Sequence, residues 1–375
     1  MCLIEYLSVF FIVIYVFTIA LLLCGWLRLK KSVAVQSGSY PYISVVVAVR
    51  NEEHYIARLL EDLLVQHYPQ KSYEIIVIDD NSEDHTAEVV GKFCRQYPEL
   101  IRLLPIAHDK KGKKHALDTG IKSAKGDLIL TTDADCRVPL RWIGSYADFY
   151  ISENKPKIIT GLVDFEQRKG IFMALQNIEF LSLVGSGAGA AGIGKPVYCN
   201  AANLLFEKKV YLQIKDPLEH KAVSGDDTFL LHHVKKLFPD EIKMIKSPEA
   251  IVYTKPAVTL KEFLRQRIRW ASKAKYYRDF DTLILGGVVL TINAATIGWF
   301  AGALFFGVKL FGWLVLIKCI SDWLMISPVL SFFHRKKLHY FVPLLSVIYP
   351  FYIVTTSIFS LFAKVEWKDR IYSKN

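Results

Sequence analysis

Charge is thinly spread in this chain: only 22% of its 375 residues are Asp, Glu, Lys or Arg. None falls between Tyr6 and Leu27, between Thr282 and Val308, or between Leu338 and Ala363. Each of these runs is long enough to cross a bilayer core as a helix rising ~1.5 Å per residue. A fourth apolar run, Leu310 to Phe333, is interrupted only by Lys318 and Asp322. A purely soluble protein and a disordered chain are therefore excluded. Cysteine is scarce as well: six residues, scattered and without a CxxC pair. That excludes a zinc ribbon and a disulfide scaffold, and it fits reduced, cytosolic thiols. The first run has no basic segment before it and no small-residue cleavage site, which favours a retained anchor over a cleaved signal peptide. No nucleic-acid-binding motif accompanies the net charge of +11, so the basic excess suits an anionic lipid surface and predicts no nucleic-acid partner.

What remains divides simply. Residues 1–27 are expected to form an N-terminal transmembrane anchor. Residues 28–281 are long enough for one α/β domain with its own core. Residues 282–363 should form a region of two or three spans, and 364–375 a basic tail. Arg28, Lys30 and Lys31 follow the anchor directly, which places the domain in the cytoplasm and the protein in the cell membrane as a multi-pass chain. The run from His334 to Lys337 marks a second cytoplasmic turn, so 282–308 and 310–333 read as a hairpin. A crossing by 338–363 would then send the tail outside, against its basic content, unless one C-terminal segment lies in the interface.

Within the domain, Ile43–Val49, Glu74–Ile78, Ile101–Leu104 and Asp127–Thr132 are short runs rich in β-branched residues, as in a sheet buried on both faces. Between the first two, Ile56, Leu59, Leu60, Leu63 and Leu64 recur at helical spacing, and Pro69 closes the connection. Further helices are expected from about Asp84 and from about Lys114 to Ala124. Strands alternating with helices predict a doubly wound, mainly parallel α/β sheet, with ligands at the carboxyl ends of its strands. Gly187, Gly189 and Gly192 match GxGxxG, and Gly189 to Lys195 begins like a P-loop, but Pro196 stands where Ser or Thr would hold magnesium. Both follow a helix expected over Phe172–Val184 rather than a strand, so a flexible small-residue loop is expected there.

The acids collect at the strand ends. The second strand runs into Asp79-Asp80-Asn81-Ser82-Glu83-Asp84. Ser82 or Asp84 can cap the next helix, while two consecutive carboxylates at a strand tip can accept the N–H of a base and ribose hydroxyls. The fourth strand ends in Asp133-Ala134-Asp135, whose carboxylates share a face if the segment is extended. Such a pair suits Mg²⁺ or Mn²⁺ bound to a diphosphate. Lys110-Lys111-Gly112-Lys113-Lys114 is either a solvated basic turn or a diphosphate partner at a helix N-terminus. Gly225-Asp226-Asp227 opens an apolar segment, where Asp227 either caps a helix or acts as a general base. Gln266-Arg267-Ile268-Arg269-Trp270 lies on a basic amphipathic stretch near 260–278, either an interfacial helix or a part of the site.

Taken in order, these motifs resemble the family-2 glycosyltransferases with a GT-A catalytic domain. The resemblance is to the membrane-bound branch shared by ceramide glucosyltransferases and the cellulose, hyaluronan and chitin synthases. It runs over roughly residues 40–275 and rests on Arg50-Asn51-Glu52, Asp79-Asp80, Gly112-Lys113 with Ala116-Leu117, Asp133-Ala134-Asp135, Gly225-Asp226-Asp227 and the QRIRW segment. The tail Glu366-Trp367-Lys368-Asp369-Arg370 is similar to the WKGR ending of lipid-glycosylating members, with Asp369 in place of glycine. The resemblance implies that Asp79, Asp80 or both bind the uracil of a UDP-sugar, helped by Arg50 and Glu52, with Lys113 near the nucleotide. It implies that Asp133 and Asp135 hold a divalent cation, Asp135 directly, and that Asp227 deprotonates the acceptor. It also implies that Gln266, Arg269 and Trp270 close over the diphosphate and acceptor, and that transfer inverts the anomeric centre. Asp118, where the family more often has Asn, departs from the pattern.

The expected activity is metal-dependent transfer of a sugar from a nucleotide-sugar donor to a lipid or glycan hydroxyl at the cytoplasmic membrane face. A processive polysaccharide synthase is the alternative within enzymes, and it calls for a channel lined by more spans. A transporter or an inert nucleotide-binding anchor is the alternative from another class. Lys318 and Asp322, one turn apart inside a span, are its signal, although such a pair can also neutralise itself.

Overall fold

The computed structural model describes residues 3–30, 38, 40–107, 112–219, 225–362, 365–367 and 370–372. Lys31, Lys110, Lys111, Ala363, Lys368 and Asp369, named above, lie outside the described residues. From the N-terminus come α1 (Leu3–Arg28), β1 (Ile43–Val49), α2 (Ile56–Leu64), β2 (Tyr73–Asp79), α3 (Thr86–Gln96), β3 (Ile101–Pro105), α4 (Lys113–Ser123), β4 (Leu128–Thr131) and α5 (Trp142–Ser152). Then follow β5 (Ile158–Gly161), β6 (Val163–Phe165), α6 (Ile171–Gly192), β7 (Leu204–Glu207), α7 (Lys208–Gln213), α8 (Asp226–Leu237), β8 (Ile242–Ile245) and β9 (Val252–Thr254). The chain closes with α9 (Leu260–Ser272), α10 (Phe280–Phe305), α11 (Lys309–Phe332), α12 (Val342–Phe362), β10 (Val365–Trp367) and β11 (Arg370–Tyr372). It forms two compact units: a helical unit of Met1–Leu29, Gln167–Val197 and Pro256–Asn375, and a sheet unit of Lys30–Glu166 and Tyr198–Lys255.

The sheet unit is built on seven strands in the order β3-β2-β1-β4-β7-β5-β8. The pairs β1–β2, β2–β3, β1–β4 and β5–β8 are parallel, whereas β7 is antiparallel to both β4 and β5. β1, β2 and β4 are covered on both faces, with Val45, Val46, Val47, Ile75, Ile76, Val77, Ile129 and Leu130 fully buried. That is why their sequences read as continuous apolar runs rather than alternating ones. The chain winds outward from β1 through β2 to β3, then returns through α4 to β4 on the other side of β1. The reversal opens a crevice at the carboxyl ends of β1 and β4, where such sheets bind ligands. Gly120 lets α4 approach the sheet, because a Cβ there would lie 2.4 Å from the Ile78 side chain. β6 and β9 form a separate parallel pair.

Helix dominates the other unit because its segments lack charges to solvate. α1, α6, α10, α11 and the stretch Lys336–Phe362 containing α12 are long and apolar enough to cross a membrane, by length and composition. Side-chain pairs set the directions of three of them. Trp299 Nε1 donates to Ser8 Oγ at 2.9 Å, so the end of α10 meets the start of α1. The Tyr15 hydroxyl donates to the Asp322 carboxylate, and Trp26 packs edge-on against Phe332 at 5.6 Å. α1 therefore runs with α11 and against α10. Lys318 is fully buried and paired with Asp322 at 2.7 Å. The two charges neutralise each other within one helix turn, and Tyr15 takes up a further carboxylate oxygen. That answers the transporter signal with a structural role.

One expectation is corrected here. Gly187, Gly189 and Gly192 are not in a loop but in the last turns of α6. Glycine is needed there because α6 and α1 touch backbone to backbone. A Cβ on Gly25 would fall 1.9 Å from the Gly189 carbonyl oxygen, and one on Gly189 would fall 2.2 Å from that of Leu22. Small residues at such spacing permit close helix approach in apolar surroundings.

This contact gives a direct test. Gly189→Val should cost about 1–3 kcal/mol through overpacking and lower the melting temperature of the detergent-solubilised protein. Gly286→Ala, where a Cβ meets nothing within 4 Å, should leave it unchanged or slightly raised. Equal melting temperatures for Gly189→Val and the parent would refute the backbone contact.

Candidate active site

At the carboxyl end of β1 the chain turns through Asn51, which adopts a left-handed conformation (φ 52°), and β2 ends at a matching turn through Asn81 (φ 53°). Arg50 fastens the two loops. It is 5% exposed and donates to the backbone carbonyls of Asp80 (3.0 Å) and Asn81 and to the Glu83 carboxylate at 2.8 Å. Its guanidinium thus shapes the loop that carries Asp79 and Asp80. Glu52 sits in the same lacing, its N–H donating to Thr86 Oγ1 at 2.8 Å. The N-cap position of α3 is His85, which makes no side-chain bond there, and Ser82 turns to Asp79. Asp84 accepts from the Thr86 N–H and hydroxyl and from the Glu53 N–H. Burial works against its charged form, but these hydrogen bonds hold its pKa below the ordinary value.

The two acids at the tip of β2 have different duties. Asp80 is 1% exposed, and its Oδ1 accepts the Gly112 N–H at 3.0 Å. Gly112 is the N-cap of α4, at φ 113°, so Asp80 fixes where that helix begins. Asp79 is half-buried and uses Oδ1 for the Ser82 N–H and hydroxyl. Its Oδ2 has no hydrogen bond among the described residues and remains available as an acceptor.

Lys113, the first residue of α4, joins two acidic motifs that are far apart in sequence. Its Nζ lies 2.6 Å from Asp133 Oδ1. Burial opposes its charge, yet the carboxylates of Asp133, Asp226 and Asp227 hold its pKa above the ordinary lysine value. The DxD pair differs from expectation in its setting. β4 stops at Thr131, and Asp133-Ala134-Asp135 forms a turn closed by the Cys136 N–H on the Asp133 carbonyl at 3.1 Å. Burial of Ala134, at 3% exposure, with both acids partly exposed, rather than strand alternation, leaves the two carboxylates open. Burial pushes the Cys136 thiol up, and the Asp135 and Asp133 carboxylates add to the shift.

Asp227 is not a cap. Gly225, at φ 92°, occupies the N-cap of α8, and Asp226 and Asp227 fill its first turn, where a helix favours negative charge. Asp227 Oδ2 accepts the Ala201 N–H at 3.1 Å, and Oδ1 accepts from the Thr228 N–H at 2.6 Å. Ala201 is tied in turn to β4, its carbonyl accepting the Thr131 hydroxyl at 2.6 Å. Asp226 is 9% exposed, and its Oδ2 is buried without a hydrogen-bond partner among the described residues. The segment Asn200–Asn203 that carries this link was not singled out in the sequence. Its signal was two asparagines around Ala-Ala before an apolar run, which also reads as an ordinary turn.

Among the described residues no group of three or more His, Cys, Asp or Glu side chains is arranged to hold a metal ion. The donor set nonetheless fits one. Asp133 and Asp135 offer hard oxygen ligands, and Mg²⁺ or Mn²⁺ commonly completes its shell with diphosphate and water. The buried Asp226 carboxylate adds negative potential near Lys113 that a cation would offset. Gln266, Arg269 and Trp270 lie on α9, in the helical unit, all partly exposed.

Comparison with known proteins agrees with this geometry. Residues 44–207 match the model of Glycosyl transferase family 2, a range that includes the DxD turn but ends before Asp227. The beta-monoglucosyldiacylglycerol synthase of Trichormus variabilis is 38% identical over 101 residues, 27% of this chain and 22% of that protein. The poly-beta-1,6-N-acetyl-D-glucosamine synthase of Staphylococcus epidermidis is 30% identical over 255 residues, 64% of this chain and 57% of that one. The chain thus spans between about a fifth and three fifths of the length of these relatives. In fold it is similar to the mannosyltransferase PcManGT from Pyrobaculum calidifontis in complex with GDP-Man and Mn²⁺, at a TM-score of 0.56 and 17% identity over 96% of this chain and 99% of that one. Residues 44–207 of the chain therefore match Glycosyl transferase family 2, and the sheet that contains them is similar in fold to a GT-A transferase.

Proposed function

We propose that the protein moves a sugar from a nucleotide-sugar, expected to be a UDP-sugar, onto a hydroxyl of a lipid or glycan acceptor at the cytoplasmic membrane face. The observation that carries this reading is Lys113, which lies against Asp133 and within the field of Asp226 and Asp227. A cation among carboxylates at the carboxyl ends of a parallel sheet is suited to a diphosphate. Asp79 Oδ2 accepts an N–H of the base, a role supported by its Oδ1 being taken by Ser82, and Asp80 and Arg50 hold the loops around it. Asp227 takes the proton of the acceptor hydroxyl as that oxygen attacks the anomeric carbon. The bond from that carbon to the diphosphate breaks, and the configuration inverts. A divalent cation held by Asp133 and Asp135 would neutralise the departing diphosphate. The diacylglycerol glycosylating relative supports a lipid acceptor, and the poly-N-acetylglucosamine synthase relative keeps a growing glycan as the second reading. Partition of labelled product between organic solvent and water separates them.

In this reading the basic residue Arg28 at the end of α1 keeps the sheet unit in the cytoplasm. The tail is on the same side if α12 lies along the interface rather than crossing, a reading supported by Tyr352 of α12 lying 5.5 Å from the Phe263 ring of α9. Topology reporters fused after residue 110 and at Asn375 should both report the cytoplasm. An exported signal at residue 110 would refute the orientation.

Two further outcomes are expected. Excess EDTA should abolish transfer and Mn²⁺ or Mg²⁺ should restore it; full activity in EDTA would remove the metal role from Asp133 and Asp135. Asp227→Asn should lower kcat by ~10²–10⁴-fold with donor affinity little changed. The new amide also sets an N–H₂ against the Ala201 or Thr228 N–H, so stability should fall by about 1–3 kcal/mol and turnover must be read well below the variant's melting temperature. Near-parental turnover would move the base elsewhere, with Asp226 the next to substitute.

A further inference from the structure

α9 is a basic amphipathic helix, opened by a capping box between Thr259 and Glu262. Lys261 and Arg265 are exposed, as cations on such a helix should be. Arg267 is not. It is 4% exposed, and its Nε lies 3.0 and 3.1 Å from the two carboxylate oxygens of Glu179, with Nη2 also donating to Oε2. Glu179 is on α6 and is itself buried. The Tyr352 hydroxyl of α12 donates to Glu179 Oε1 at 3.1 Å. Three helices of one unit therefore converge on a single carboxylate.

The guanidinium reaches back to its own helix as well. Nη1 donates to the Gln266 side-chain carbonyl. The guanidinium carbon lies 4.3 Å from the Trp270 ring and 4.7 Å from that of Phe263. Trp270 follows Arg267 by three residues and shares its face of the helix. Its other neighbour is Phe180, next to Glu179, at 6.2 Å. One planar, always charged group thus touches Gln266 and Trp270 together, which a lysine could not do with its point charge.

We infer that Arg267 is a positioning residue: its ion pair with Glu179, completed by Tyr352, sets the orientation of Gln266 and Trp270 and thereby the affinity for the acceptor. This rests on the reading that α9 contributes to the acceptor site. With its carbonyl oxygen held by Arg267, the Gln266 amide keeps its N–H₂ as a donor. With the guanidinium over its ring and the tilted Phe180 ring 6.2 Å away, the Trp270 indole is held in one orientation in which to meet an apolar or sugar surface. A pair that merely pinned α9 to α6 would need neither the contact to Gln266 nor that to Trp270.

The test uses the full-length protein in detergent or nanodiscs, with Arg267→Lys, Glu179→Gln and Tyr352→Phe. Tyr352→Phe removes one hydroxyl and keeps the ring, so it remains informative if the charge variants do not fold. The expected result is an acceptor KM raised about tenfold in Arg267→Lys and Glu179→Gln and severalfold in Tyr352→Phe. Donor KM and kcat at saturating acceptor should stay close to the parent. Trp270 fluorescence, taken as the difference between each protein and its Trp270→Phe counterpart, should become more accessible to acrylamide. That optical readout needs no turnover, so it separates failure of this inference from failure of the functional reading, which parental transfer tests in the same assay. Unchanged acceptor KM and unchanged quenching in the folded variants would overturn the inference. So would a parallel fall in kcat, both KM-derived affinities and melting temperature without a quenching change.

Discussion

Carboxylates brought together without cations repel, and the sheet unit brings several to one end of one sheet. Asp133, Asp226 and Asp227 all act on Lys113, and that lysine offsets their mutual repulsion. Its place depends on Gly112, whose N–H is held by Asp80, and Asp80 depends on the loop that Arg50 ties down. A chain of polar contacts thus runs from β1 through β2 to α4 and on to the acids beyond β4. Each link is partly or fully buried, where an unpaired polar group costs more than it does in water. The site geometry is therefore a consequence of satisfying buried charge as well as of sheet topology.

The helical unit solves the same problem under a harsher constraint. A charge buried away from water needs its partner inside the protein, and two such charges are matched there. Lys318 meets Asp322, with Tyr15 as a further donor, and Arg267 meets Glu179, with Tyr352 as a further donor. Both are an ion pair plus a tyrosine, and both draw separate helices together. Close backbone contact at Gly25 and Gly189 brings α1 and α6 together, since lipid gives helices no hydrophobic drive to associate.

Residue pattern revealed the first half of the sheet well. β1 matches its expected span, and β2, β3 and β4 differ from theirs by a residue or so. These strands are buried on both faces, so their apolar runs stand out against the polar loops. The second half was not legible. β5 to β9 are three or four residues long, too short for periodicity to rise above chance. The antiparallel placement of β7 between β4 and β5 is a matter of long-range pairing that no local pattern encodes. α6 was misjudged beyond Val184 because glycine is read locally as a breaker, whereas here its lack of a side chain is what packing demands.

At the site, residue type and order were enough to single out Asp79, Asp80, Lys113, Asp133, Asp135 and Asp227, because carboxylates at strand ends are costly unless they have partners. Their individual surroundings were not accessible in the same way. Asp79 is engaged by Ser82 and the DxD pair is closed into a turn by Cys136, both local contacts, whereas Asp80 is held by Gly112 and Asp227 by Ala201 across segments distant in the chain. The same holds for Arg267, which the sequence shows only as one cation among several on a basic helix. Composition and spacing determine which chemical groups are present and which elements carry them, because those depend on local backbone preference and on burial averaged over a segment. Which atom of each group is left free is decided by the tertiary structure, because a hydrogen bond requires its partner within about 3 Å, and here those partners are tens to hundreds of residues away in sequence.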